Sequence, residues 1–369
     1  MTSFVPGLEL ARGFYRDVVR ALVEVPHTAC LIGEGSEVLG YDAPRSTDHE
    51  WGPRVQLFVT ADEVARVGEA MSGGLPPDYR GYPTAWFSLA EQRVTHHVEI
   101  STLGDWLTSH FGVDPRGGLD HAAWLALPQN HLLQLTGGEV FCDDSGELTE
   151  LRASLRWYPA DVWLWLLASQ WHLIANTEPL VGRALEASDQ RGARLLVSCL
   201  CRLIMEMAFL QERRYRPYGK WFGTAFAQLD AAATLGPLID KALDEPPSTR
   251  ADGPSATALI TLARRHTALG ITEPVLPTMG DFNVGVNDAV RPYAVLNTRA
   301  FVDVTLNAIA DPGLRNLVRV GGIDQLTHAD DAMINFTTWP NALTHSYRTM
   351  LAPHDRHQAD TPKTTTDET

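Results

Sequence analysis

Basic side chains are in short supply in this chain: 30 Lys and Arg stand against 45 Asp and Glu, a formal net charge of −15 over 369 residues. A general nucleic-acid binder needs a basic footprint to displace counterions, so that class is excluded and any cationic site must be local. Cysteine is scarce as well. Cys30, Cys142, Cys199 and Cys201 form no CxxC pair and no zinc-finger spacing. Cys199 and Cys201 lie two apart in a helical run and so point to different faces. All four read as reduced core residues, and a cytoplasmic location is the expectation. Long apolar runs are missing: Gln170 and His172 interrupt Val162–Ala175, and Arg202 and Glu206 interrupt Leu195–Leu210. Neither supplies the ~20 uninterrupted apolar residues that a membrane span requires. No basic segment followed by an apolar one opens the chain, so no signal peptide is expected. There is no internal repeat.

What remains is a globular composition, 44% apolar and 20% charged, long enough for two domains. Apolar spacing predicts a first helix over Leu8–Val25, stopped by Pro26. Short strands are expected at Ala29–Ile32, Glu50–Thr60 and Thr84–Phe87, and an alternating one over Gln92–Ser101. Gly138–Glu147 reads as a hairpin with a turn at Asp144–Gly146. From Glu150 onward the pattern changes to long helices: Ala160–Asn176, Pro179–Ala187, Arg191–Glu212, Gly219–Leu229, Leu235–Leu243, Ser255–Leu269 and Ala300–Ile309, with Thr272–Pro292 as loop. The expected fold is α+β: a small mixed-sheet domain over residues 1–150, then an all-α helical domain over 151–352. Residues 353–369 are polar and Thr-rich, and are expected to be disordered. The cleft between the two parts is the default site.

The chemistry concentrates in LIGEGSEVLGYDAPRSTDHEWGPRVQLFV, residues 31–59. Gly35 permits positive φ and close approach of a backbone N–H to a phosphate, and Ser36 adds a hydroxyl donor. Asp48 and Glu50 sit two apart at an expected strand start, where i and i+2 share a face. Two carboxylates on one face repel, and a divalent cation resolves the repulsion; Mg²⁺ prefers oxygen ligands and keeps substrate phosphates in its shell. Two such ions align an in-line phosphoryl displacement. Glu99, mid-strand in RVTHHVEIS, is the candidate third carboxylate, as metal ligand or general base. A solvated acidic strand edge and an ordinary tight turn are the plainer reading of the same residues. His97-x-Glu99 echoes a zinc deaminase pair, but the downstream PCxxC which that motif needs is missing.

Gly35-Ser36 followed by Asp48-His49-Glu50 resembles the signature of the polymerase-beta-like nucleotidyltransferases. That signature is an apolar residue, Gly, Gly or Ser, a loop, and a carboxylate–x–carboxylate pair entering a strand. The fuller string STDHEWGPR, with RWYPADVW, RRYRPYGKWFGTAF and GGIDQ downstream, looks like a bacterial branch of that superfamily and covers roughly residues 10–330. The resemblance implies a nucleotidyltransferase fold packed on a helical domain, with NTP as co-substrate and Mg²⁺, two ions being expected. It carries Asp48 and Glu50 over as metal ligands, Gly35 and Ser36 as triphosphate contacts, and Glu99 less directly, since the third carboxylate has no set spacing. The WGPR insertion and the helical half depart from the antibiotic-modifying members, so the acceptor does not carry over.

A triphosphate needs positive charge beyond Mg²⁺. The densest basic patch is Arg213-Arg214-Tyr215-Arg216-Pro217-Tyr218-Gly219-Lys220-Trp221, with Lys220 the first candidate and Arg213 and Arg214 next. A basic helix end complementing a helix dipole is the competing reading. Arg54 is a candidate for phosphate, for bracing Asp48, or for pairing with a surface acid. The expected function is Mg²⁺-dependent transfer of NMP from an NTP to a hydroxyl, on a small molecule rather than on RNA. The alternatives are a catalytically silent nucleotide-binding or interaction module and a protein-modifying nucleotidyltransferase.

Overall fold

A computed structural model describes residues 4–48, 51–88, 92–328 and 338–352. His49, Glu50 and the tail from 353, on which expectations fall, lie outside the described residues. The chain is a mixed α/β protein with small sheets and a helical C-terminal region.

The first helix, α1 (Gly7–Asp17), is shorter than expected. The β-branched pair Val18-Val19 ends it, and the chain tightens into a 3₁₀ turn over Val19–Leu22. Two fully buried strands follow, β1 (Thr28–Leu31) and β2 (Val55–Phe58). The expected early start of β2 at Glu50 is corrected. Pro44–Asp48 is a 3₁₀ turn, and the ladder begins only after Pro53, which has no N–H to contribute. After α2 (Val64–Gly74) come the two-residue strands β3 (Asp78–Tyr79) and β4 (Tyr82–Pro83), then the hairpin strands β5 (Ala85–Ser88) and β6 (Arg93–His96), then β7 (Val98–Ser101). The single strand expected over Gln92–Ser101 is therefore two. Its alternation is continuous, but the chain leaves one ladder for another at His97: β6 pairs antiparallel with β5, and β7 pairs parallel with β2.

Helices α3 (Leu103–Phe111), α4 (His121–Ala126) and α5 (Gln129–Thr136) lead to β8 (Glu139–Asp143). Glu139–Asp143 is not half of a local hairpin, as expected, but an edge strand paired with β1. The central sheet runs β7-β2-β1-β8. Ala29, Val55, Leu57 and Val98 pack on α1 and α2, whereas Cys30, Ile32 and Phe58 join the core of the helical region.

That region comprises α6 (Glu147–Ser154), α7 (Ala160–Glu186), α8 (Gln190–Gln211), α9 (Gly219–Phe226), α10 (Ala232–Asp244), α11 (Pro254–Ala268), the hairpin strands β9 (Met279–Asn283) and β10 (Val290–Leu296), α12 (Thr298–Asn307), α13 (Pro312–Asn316), α14 (Ile323–Thr327) and α15 (Thr338–Leu351). Two expectations fail here. Helix α7 continues through Pro179, because its apolar surface is buried nearly all round and that packing outweighs one lost backbone bond. The all-α expectation fails at the β9–β10 hairpin, which occupies the expected loop. Pro292 is tolerated in β10 because it falls where the register shifts between Arg291 and Ala294.

Glu178 and Gly182 dock this hairpin on α7. The Leu296 N–H donates to both carboxylate oxygens of Glu178 at 3.1 Å, and a Cβ at Gly182 would lie 2.6 Å from the Tyr293 ring. Burial pushes Glu178 from the ordinary 4.5 up to about 8. The folded chain keeps this proton where the unfolded chain has lost it, so stability falls as pH rises from 4.5 to 8. Glu178→Gln keeps the acceptor and removes the titration. It is expected to match the parent near pH 4.5 and to exceed it near pH 8; the gain there should be roughly 2–4 kcal/mol. Thermal denaturation across that pH range checks it.

Candidate active site

Beyond Leu31 the backbone continues β1 by one residue on a side-chain partner. The buried amide of Gln56 accepts from Ile32 N–H at 2.9 Å and donates to Ile32 O at 2.9 Å. Gly33 N–H then donates to Gln134 O at 2.9 Å, which anchors the turn on α5. At Gly35 φ is +136°, and a Cβ there would stand 2.6 Å from Glu37 Oε2 and 2.7 Å from Arg54 Nη2. Arg54 pairs with buried Glu37 and donates to Glu34 O at 2.8 Å. Arg54 thus braces the turn through Glu37 and Glu34. Gly35 first of all makes room for that ion pair. The Ser36 carbonyl accepts from Tyr41 N–H at 2.8 Å. Among the described residues, the Ser36 hydroxyl has no hydrogen-bond partner.

Two of the three expected carboxylates, Asp48 and Glu99, lie among the described residues. Asp48 ends the 3₁₀ turn Pro44–Asp48 and is exposed. Glu99 lies on β7, exposed, and its neighbour on β2 is Gln56 instead of an acid. It faces the same side of the sheet as Cys30 and Gln56, towards the helical region. Among the described residues no three His, Cys, Asp or Glu side chains converge on a metal site, and Glu50 lies outside them. The described residues thus do not by themselves make the expected Mg²⁺ site, and no step below runs through one.

The basic patch divides. Helix α8 ends with Arg213 in the left-handed conformation, φ +53°. Arg213 N–H donates to Leu210 O at 3.3 Å and Arg214 N–H to Phe209 O at 3.0 Å, the double bond of a Schellman cap. That geometry sends Arg213 over the Trp163 ring, 4.1 Å from its centroid. Arg213 thus forms the cap with its backbone and stacks its exposed guanidinium on Trp163. Arg214 points the other way, donating to Gln228 O at 3.2 Å, and the Tyr41 hydroxyl also reaches Gln228, at 3.5 Å. Lys220 lies in the first turn of α9, exposed, with its ammonium 4.9 Å from the Trp221 ring centroid. Trp221 stacks on Tyr41 at 5.3 Å and 27°, and its indole N–H donates to the Tyr218 hydroxyl at 2.9 Å. Burial, assisted by Glu37 and Glu34, raises the Tyr218 phenol. The chain of contacts runs from Ser36 through Tyr41 and Trp221 to Lys220.

Beside the turn opens a cavity of about 800 Å³, bounded by Arg54, Gln56, His96, His97 and Glu99 among others. His97 stacks on Trp86 at 3.7 Å, and His96 lies 3.2 Å from the Ser72 hydroxyl. Of the expected site residues, Arg54 and Glu99 line this cavity, Gly35 abuts Arg54, and Arg214 and Lys220 connect to the turn by way of Gln228, Trp221 and Tyr41. Sequence reasoning missed Gln56, Glu37 and Tyr41. Gln56 had a signal, a lone amide inside the apolar run VQLFV; the other two had none.

A family model described as a domain of unknown function, DUF4037, matches residues 124–222, from α4 into α9. No curated protein and no solved structure matches the chain.

Arg54→Met leaves the Glu37 carboxylate buried without its partner and should cost about 3–5 kcal/mol. The double variant Arg54→Met/Glu37→Leu should recover most of that loss. Urea unfolding of the two variants measures the difference.

Proposed function

We propose that this chain is a nucleotidyltransferase that moves NMP from an NTP to the hydroxyl of a small-molecule acceptor and releases pyrophosphate. The observation that carries the reading is the approach of α9 to the turn after β1. Trp221 stacks on Tyr41, Tyr41 is bonded to Ser36, and Lys220 lies against Trp221. A turn with a hydroxyl and backbone donors, faced by a cation from a second element, suits a triphosphate. The cavity beside Glu99, about 800 Å³, is of a size for a small acceptor.

In this reading the Ser36 hydroxyl and the turn backbone hold phosphate oxygens, while Lys220 and Arg214 offset their charge. The acceptor oxygen attacks the α-phosphorus. The new P–O bond forms as the bond to the β-phosphate oxygen breaks, pyrophosphate leaves with the electron pair, and the acceptor proton passes to Glu99. Mg²⁺ belongs to the proposal as the ion that Asp48 and Glu50, two residues apart, call for. When bound, it neutralises phosphate charge.

Binding of each common NTP to the purified chain, with and without Mg²⁺, tests the reading, together with pyrophosphate release in a pool of small-molecule acceptors. Mg²⁺-dependent binding is expected, with release lost in Asp48→Ala/Glu50→Ala. Lys220→Ala is expected to weaken NTP binding by about tenfold, the worth of one charge-assisted contact. Identical NTP binding by parent and double variant, with no pyrophosphate released by either, would make the chain a catalytically silent module.

A further inference from the structure

Arg216 lies in the loop between α8 and α9, yet only 6% of its surface is exposed. Its Nη2 stands 3.8 Å from Glu206 Oε1 and 3.7 Å from Asp324 Oδ1, and donates to Asp324 O at 3.5 Å. Glu206 in turn lies 3.5 Å from Arg202 Nε at the solvent edge. Charges alternate along the series Arg202, Glu206, Arg216 and Asp324, two cations against two anions, so the group is balanced as a unit.

Amides complete it. Asp324 Oδ2 accepts from Gln129 N–H at 2.8 Å, and Gln129 Oε1 accepts from Arg216 N–H at 3.2 Å. Glu206 Oε2 accepts from Gln170 Nε2 at 3.1 Å, and Gln170 Oε1 accepts from Gln325 Nε2 at 2.7 Å. Segments from α5, α8 and α14 thus meet on one loop residue, and α7 joins them through Gln170. A buried ion network of this kind brings little net stability over an apolar core of the same shape, but it admits few alternative arrangements.

What the arrangement holds in place is the start of α9. Asn130, next to Gln129, accepts from Tyr218 N–H at 3.2 Å, and Gly219 opens the helix. The Arg216 guanidinium also lies 5.7 Å from the Phe222 ring centroid, one turn into α9. Helix α9 is therefore held at its base by the network and on its side by the Tyr41–Trp221 stack.

We propose that Arg216 is a positioning residue for the nucleotide: the Arg202–Glu206–Arg216–Asp324 network sets the pose of α9, and with it the presentation of Lys220 and Trp221 to the Gly35–Ser36 turn. The proposal rests on the nucleotidyltransferase reading and adds to it a structural element remote from the reacting atoms.

The test uses the full chain and three variants. Arg216→Lys keeps the charge but cannot span both carboxylates. Glu206→Gln/Arg216→Met/Asp324→Asn removes the charges together, so no ion is left stranded in the interior. Lys220→Ala is the comparator. Hydrogen exchange over residues 216–226 and 34–41 is read alongside the affinity for Mg·ATP and the other common NTPs.

Both network variants are expected to speed exchange in these two segments while leaving α7 and α11 protected. Each should weaken NTP binding by about tenfold, as Lys220→Ala does, and adding Lys220→Ala should produce little further loss, as for residues acting through one contact. Unchanged exchange at 216–226 in Arg216→Lys or in the triple variant overturns the proposal, as do affinity losses that add in full. Failure of the parent chain to bind any NTP overturns the nucleotidyltransferase reading instead, and the exchange arm then still decides whether the network sets α9.

Discussion

The buried pair Glu37–Arg54 ties the turn after β1 to the entry of β2, and the candidate site is built around it. With Arg54 held there, its second contact to Glu34 O orders the turn, and Gly35 is needed because any Cβ would enter the ion pair. With the turn ordered, Tyr41 can bond back to Ser36 and offer its ring to Trp221. Gln56 does a related job one strand position away: its amide stands in for a missing ladder partner and carries β1 on to Ile32. A paired charge and a satisfied amide are the forms in which such groups are tolerated inside a protein.

The helical region is more than an appendage to the sheet. One apolar core runs from Cys30, Ile32 and Phe58 through Trp106 and Trp124 to Trp165, Trp171 and Phe301. The sheet face that carries Gln56 is therefore closed by helices, and Glu99 stands at its exposed margin beside the cavity. The residues matched by the domain family of unknown function, 124–222, contain α5, α7, α8 and the start of α9, the elements that bring Trp221 to Tyr41. That match covers the supporting frame rather than the Gly35–Ser36 turn itself.

Much of the element order was legible. The apolar runs TACL and VQLF are β1 and β2, and the long apolar helices fall near the expected bounds, since burial leaves a periodic trace in the chain. The failures have distinct causes. Periodicity does not reveal that a chain changes ladder partners, so β6 and β7 read as one strand. A proline reads as a stop, although enough packing carries α7 through Pro179. The β9–β10 hairpin turns at Asn287–Asp288, both in the left-handed region, but the bulge at Pro292 breaks the alternation that would mark a strand.

For the site, the sequence by itself determined which kinds of group are present: a glycine turn with a hydroxyl, acids before and within strands, and one cationic segment in an acidic chain. Those follow from local composition and spacing. Only the tertiary structure decided who meets whom. It gave Arg54 to Glu37, set Glu99 beside Gln56, turned Arg213 onto Trp163, and brought Trp221 with Lys220 against Tyr41. The physical reason is that local pattern encodes burial and conformation, whereas a charge or a ring chooses its partner only after distant segments have packed, and no spacing rule links residues 41 and 221.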